Sequence, residues 1–339
     1  MSPKTIATFI LLALNSAFTF QARSDEIADF YKGRSITVLI GGSAGASYDT
    51  QGRLIARYMQ KYIPASPNFI VQNMTGAGGL KMMNYLSGQA ARDGTVLAMV
   101  PNTMPAMQAI GAQGVGFDLS KINWIGTISP VTVTMSALKE SGIRSIEDVR
   151  KKEYVVAASA RGAITYTIPA MMNALLGTKF KIVTGYEGLQ DISLALERGE
   201  ADVVESSVTN WKIMKPDWLR AGRIVMFVQT EPRSSELPGV PTAEELTATP
   251  ADRKVIDIIV AGSKLGFPMA AAPGVPPERI EALRRAFMAA MMDDGFVKEA
   301  TAMNLDINPV GGEALAKTVA GVLGASPDII ERARPIISP

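Results

Sequence analysis

The chain has 339 residues, 34 Lys and Arg against 32 Asp and Glu, and neither histidine nor cysteine. That excludes Ser-His-Asp and Cys-His nucleophilic sites, thiolate or imidazole zinc sites, disulfides and thiol redox chemistry, and leaves open only a metal held by carboxylates and carbonyls. The length fits about two domains; 47% hydrophobic and 19% charged residues suit buried cores, and the near balance of charge offers no polycationic face to nucleic acid.

The first elements belong to export. Lys4 supplies a positive n-region, Ile6 to Phe20 is an apolar stretch broken by Asn15 and Ser16, and Ala22-Arg23-Ser24 places small residues where a signal peptidase reads. The apolar stretch is shorter than the ~20 residues of a membrane span, so residues 1–24 are expected to be a cleaved signal peptide and the mature chain periplasmic. Cleavage there removes Lys4 and Arg23 and no acid, so the formal charge falls from +2 to zero.

From Arg34 onward, β-branched runs alternate with helical patterns. Strands are predicted at Ile36–Ile40, Asn68–Gln72, Val96–Val100, Tyr154–Ala158, Lys181–Thr184, Ala201–Glu205, Ile224–Val228 and Leu265–Ala271, with helices from Thr50 to Tyr62 and through Leu86 among those between them. Such alternation predicts an α/β fold with parallel sheets and right-handed crossovers. Near the end, Pro276-Pro277-Glu278 starts a helix whose Ile280, Leu283, Phe287 and Met291 form one apolar stripe, packed on its own domain. The 18 methionines, including Met82-Met83 and Met171-Met172, sit in helical patterns and read as core filler.

Chemistry can reside in the loops after the strands. Gly41-Gly42-Ser43-Ala44-Gly45-Ala46-Ser47-Tyr48-Asp49-Thr50 joins a strand to a helix, where inward-facing N–H groups and about half a positive charge at the helix N-terminus hold an anion without a cation. It lacks the Gly-Lys-Ser/Thr ending of a phosphate loop and the dinucleotide glycine pattern. The alternative is a plain turn capped by Ser47 or Asp49. Asn73 to Gly79 is a second glycine loop, and Asn102-Thr103 follows the third strand at its carboxyl end, where open parallel sheets bind ligands. In Ala158 to Tyr166, Arg161 either clamps a carboxylate or is an ordinary exposed arginine, and Tyr166 either closes over a ligand or fills the core. Glu205 either accepts from a ligand hydroxyl or ammonium or caps a helix.

Together these segments resemble the periplasmic solute receptors of tripartite tricarboxylate transporters, the Bug family, from Phe30-Tyr31 to about Gly312. Ser43-Ala44-Gly45 with Asp49 corresponds to the family's small-residue loop ending in Thr-Asp. Val71-Gln72-Asn73 through Gly76-Ala77-Gly78-Gly79 is close to Val-Glu-Asn-x-Pro-Gly-Ala-Gly-Gly, and Asp93-Gly94-Thr95 to Asp-Gly-Tyr. Gly185-Tyr186-Glu187-Gly188 resembles Pro-Tyr-Lys-Gly, and Gly199-Glu200-Ala201-Asp202 resembles Gly-Gln-Val-Asp. Leu237 to Thr242 and Ala272 to Pro276 complete the series. No single segment is specific, but their order is.

The resemblance implies a two-lobed, periplasmic-binding-protein-like clamshell of type II character, each lobe a mostly parallel sheet flanked by helices. Residues 25–127 would form the first part of lobe 1, 128–256 lobe 2, and 257–339 the return to lobe 1. It implies a monomeric receptor, not an enzyme, which closes on a small mono- or dicarboxylate and delivers it to membrane permease subunits, with no cofactor, metal or nucleic acid. Ser43, Ala44, Ser47, Tyr48 and Asp49 would contact or frame a carboxylate; Asn102 and Thr103 would line the same lobe. Ser159, Arg161, Gly162, Thr165 and Tyr166 would face them, with Tyr186 and Ser206 nearby. The sequence departs from the family at Tyr48 and Arg161, where small or polar residues are usual, at Tyr166, where His is frequent, and at Ser206, where Asp is common. The alternatives are a binding protein that presents its ligand to a sensor, or a histidine-independent lyase or isomerase using Asp49, Glu205 or a lysine.

Overall fold

The computed structural model describes residues 25–337; the expected signal peptide lies outside them. The chain forms two compact α/β units, as the two-lobed expectation requires. The first comprises residues up to Val100, Lys121–Gly126 and Met269–Val297; the second comprises Pro101–Ser120, Thr127–Pro268 and the residues from Lys298 onward. No helix of the described residues is long and apolar enough to cross a membrane.

In the first unit, β1 (Ser35–Ile40) lies between β2 (Asn68–Asn73) and β3 (Val96–Met99), parallel to both. Its Ile36, Val38 and Ile40 are fully buried on one face and Leu39 is buried on the other, as expected of a central strand covered on both faces. Beyond β3 lie β10 (Met269–Ala271) and then β4 (Asn123–Thr127), with β10 antiparallel to both. The sheet is therefore mixed, not wholly parallel. The helix Pro277–Met291 forms as expected, and its stripe Ile280, Leu283, Phe287 and Met291 is buried in this unit. Phe287 packs so closely on β4 that a Cβ on Gly126 would fall 2.4 Å from its ring.

In the second unit the strand order is β7 (Phe180–Thr184), β6 (Tyr154–Ala158), β8 (Val203–Ser207), β5 (Val133–Leu138), β9 (Ile224–Gln229). β6 is parallel to β7 and β8, while β5 runs antiparallel to β8 and β9. Neither β4 nor β5 was expected from the sequence. Asn123-Trp-Ile-Gly-Thr carries a glycine and an asparagine, and all six residues of Val133–Leu138 are buried, so neither displays the alternation of a half-exposed strand.

Two boundaries also differ from expectation. The apolar run at Leu265 is not strand: Leu265 ends the helix Ala261–Leu265, and only Met269–Ala271 extends. Between them Gly266 takes φ +63°, and a Cβ there would stand 2.0 Å from the Ser129 carbonyl oxygen, so only glycine fits. After residue 297 the chain groups with the second unit. Ile329, Ala333, Ile336 and Ile337 of the helix Pro327–Ile337 join a core with Ile168 and Met172 of the helix Ile164–Leu176 and Ile256 of the helix Pro250–Ile259.

Candidate functional site

In the first unit, β1 delivers the chain to Ser43, Ala44, Gly45 and Ala46, all exposed, and the helix Ser47–Met59 begins at once. Gly45 has φ +79°, and Ala46 is the N-cap. The alanine side chain cannot accept a hydrogen bond, and no side chain caps this helix, so its N-terminal amides and positive end face outward. Neither Ser47 nor Asp49 fills the capping role considered from the sequence. Asp49 reaches back instead: its Oδ2 accepts from the Gly45 N–H at 2.9 Å, and both oxygens accept from Arg53 Nε at 3.0 Å. Asn73, at the end of β2, donates from Nδ2 to Asp49 Oδ1 (3.0 Å) and to the Gly42 carbonyl (2.9 Å), and its Oδ1 accepts from Arg53 Nη2 at 3.1 Å.

Asp49 is 4% exposed. The Arg53 hydrogen bonds, helped by those from Gly45 and Asn73, outweigh burial and hold its carboxyl down at about 2. Asp49 is thus fixed as an anion whose acceptors are turned inward, bracing the loop. Sequence reasoning missed Arg53 and Asn73 as loop supports. The i, i+4 spacing of Asp49 and Arg53 on a helix was the available signal; nothing local announces Asn73. Tyr48, beside them in the first helical turn, is half-buried.

The second unit repeats the device. After β6 the loop passes Ser159, Ala160 and Arg161 to Gly162, φ +81°, and Ala163 is the uncapped N-cap of the helix Ile164–Leu176. Here Thr165 braces the loop: its Oγ1 accepts from the Ser159 N–H at 3.0 Å and lies 2.9 Å from Ser159 Oγ. Arg161 is exposed, with its guanidinium 5.9 Å from the centre of the Tyr166 ring. Tyr186 follows β7, its N–H reaching the Ala158 carbonyl, and its ring packs on the core around Trp211. Ser206 lies on β8 with its hydroxyl buried and without a hydrogen-bond partner. Asn102 and Thr103, expected beside the first loop, group with the second unit, where Asn102 Nδ2 donates to the Gly262 carbonyl at 3.1 Å.

Each loop therefore gathers its own candidates: Ser43, Ala44, Ser47, Tyr48 and Asp49 in one unit; Ser159, Arg161, Gly162, Thr165 and Tyr166 in the other. Both offer backbone donors with little fixed charge, suited to a small anion. Among the described residues no cluster of three or more acidic groups is placed to hold a metal. A cavity of about 540 Å³ in the second unit is lined by Lys254, Lys264, Lys317 and Ile329, and includes no residue of these loops.

The family described as tripartite tricarboxylate transporter family receptor matches residues 52–334. The chain is 26% identical over 228 residues to the UPF0065 protein in the TAR-I ttuE-ttuC' intergenic region of Agrobacterium vitis, covering 65% of this chain and 63% of that protein, under two thirds of its length. A ligand-free TctC solute-binding protein from Polaromonas has a similar fold, with TM-score 0.69, 17% identity and coverage of 90% of this chain and 99% of that one. MatC from Rhodopseudomonas palustris, solved with bound malate, gives TM-score 0.61 at 20% identity, covering 88% of this chain and 99% of that one. With most of the sequence matched and both α/β units of the fold present, this chain belongs to the tripartite tricarboxylate transporter receptor family.

Proposed function

We propose that this protein is a periplasmic solute receptor, not an enzyme, that captures a small mono- or dicarboxylate and delivers it to the permease subunits of a tripartite tricarboxylate-type transporter. The observation that carries the reading is the repeated arrangement of a strand, a left-handed glycine, an alanine N-cap and an uncapped helix N-terminus, once in each unit. A carboxylate at such a helix end accepts from backbone N–H groups that the helix itself cannot satisfy. Ser43 and Ser47 add hydroxyls on one loop, and Ala44 and Tyr48 shape it. Ser159, Gly162, Thr165 and Tyr166 line the other, where Arg161 supplies a two-pronged cation for a carboxylate. Asn102, Thr103, Tyr186 and Ser206 complete the proposed set. Family membership supports the transport role, and the malate in MatC supports the ligand class.

Titration calorimetry of the mature protein with malate and a panel of other small organic acids tests the proposal. At least one acid should bind, and S43A, S47A and R161A should each weaken it about tenfold, about 1.4 kcal/mol. Absence of binding across the panel, or unchanged affinity in all three variants, would overturn it.

A further inference from the structure

Glu205 is the only ionisable residue of β8, and it is 5% exposed. Burial alone acts on its carboxyl and pushes it up to about 8; no hydrogen bond or neighbouring charge offsets that. A lone buried acid is a costly feature unless neutral or used.

Its position is set by strand register. Glu205 stands opposite Met135 of β5. Val156 pairs with Val203 and Ala157 with Val204, so Glu205 is level with Ala158, the last residue before the Ser159 loop. Side-chain alternation puts it on the Val203 face, where Met135, Val156 and Ile168 form one core. The helix Ile164–Leu176 covers this face and starts, through the Ser159–Thr165 loop, at the same end of the sheet. Glu205 therefore lies on the face that this helix covers, at the end of the sheet where the helix begins and where its uncapped N-terminus is proposed to hold a carboxylate.

Few charges surround it. β5 contributes no ionisable group, β6 only Tyr154 at its far end, the helix Ile164–Leu176 only Tyr166, and the intervening loop only the exposed Arg161. Asp191 and Glu197 of the helix Leu189–Glu197 and Lys212 of the helix Val208–Met214 belong to elements packed around Val204, on the opposite face. Ionised, Glu205 would set a second negative charge beside a bound carboxylate in a poorly solvated place, and like charges there disfavour one another. Protonated, it gains an O–H donor.

Resting on the receptor reading above, we infer that Glu205 is a proton-bearing recognition group: as a neutral acid it donates its O–H to an oxygen of the anion held at the N-terminus of the helix Ile164–Leu176, so that capture is linked to the protonation of this residue. No bond to carbon forms or breaks. Where free Glu205 is ionised, one proton enters from solvent as the anion binds.

Calorimetry with malate, or with another acid of the panel that binds, tests this between about pH 6 and 9 in buffers of different ionisation enthalpy. Wild-type affinity should fall about tenfold per pH unit above the Glu205 titration, with proton uptake on binding. E205Q, which keeps a neutral donor, should bind within a few-fold of wild type at neutral pH and show neither the slope nor the uptake. Infrared difference spectra of ligand-free wild type against E205Q at neutral pH should show a protonated-carboxyl stretch that the variant lacks. Binding whose pH slope survives in E205Q, or absence of that band, would overturn the inference and leave the receptor reading standing. If no acid binds at all, the receptor reading fails and the donor role fails with it.

Discussion

Gly45 and Gly162 hold the same left-handed backbone, φ +79° and +81°, and each precedes an alanine that begins a helix without a side-chain cap. The chain thus builds one uncapped turn twice, on two separate sheets. A Cβ at Gly45 would meet nothing within 4 Å, and at Gly162 only the Ile337 carbonyl at 3.5 Å. Crowding is therefore not what keeps alanine out. The cost is conformational, about 1–2 kcal/mol for an L-residue held left-handed. G45A and G162A should each lower urea stability by about that amount and weaken acid binding, whereas G45N should lose less, since Asn tolerates this conformation. Equal losses for Ala and Asn would show that the turn does not depend on its left-handed residue.

Asp49 links the first turn to Arg53 and Asn73. Its folded carboxyl titrates at about 2, below its ordinary value, so its contribution is fully present above the ordinary range and is lost as pH falls toward about 2. D49N should cost about 1–3 kcal/mol at neutral pH, and the gap to wild type should narrow in acid. Chemical denaturation at neutral pH and near pH 2 measures both.

For Glu205 the sign is reversed. Its folded titration near 8 lies above the ordinary carboxyl value, so the folded state binds the proton more tightly. Its contribution is fully present below that ordinary value and is lost as pH rises through about 8. The melting temperature of wild type should decline relative to E205Q across that window, and a constant difference would show that Glu205 is ionised in the folded protein.

Phe287 fills the space that Gly126 leaves. G126A should overpack the contact by about 1–3 kcal/mol, and F287A should open a cavity at about 3–5 kcal/mol. Because the two touch, the double variant should cost less than the sum. Additive losses in equilibrium unfolding would mean that the ring and the glycine do not meet.

Buried polar contacts of the second core offer a further check. Trp211 Nε1 donates to Ser136 Oγ at 3.0 Å, and Ser136 in turn lies 3.1 Å from Thr134 Oγ1. S136A strands the indole N–H and should cost about 1–3 kcal/mol. Because W211F removes the donor that S136A strands, the W211F/S136A double variant should cost less than the sum of the two single losses, as followed by circular dichroism melts.

Much of this was legible locally. The runs Ile36–Ile40 and Tyr154–Ala158 and the stripe Ile280, Leu283, Phe287 and Met291 announce their elements because backbone preference and apolar period act over a few residues. The small-residue loops were visible for the same reason. The absence of histidine and cysteine removed whole classes of chemistry before any folding was considered. What sequence left undecided depends on partners far along the chain. Asn73 becomes a support for Asp49 only because β2 lies beside β1. Gly266 is obligatory only because Ser129 approaches it. Val133–Leu138 becomes an antiparallel central strand because β8 and β9 flank it. The acid of Glu205 is raised by what the helix Ile164–Leu176 and its neighbours bury, not by anything adjacent to it in sequence. The sequence by itself determined the local elements and the kinds of chemistry available. Tertiary structure decided which polar groups are paired, strained or stripped of water, because burial and charge are properties of surroundings that a linear chain does not yet have.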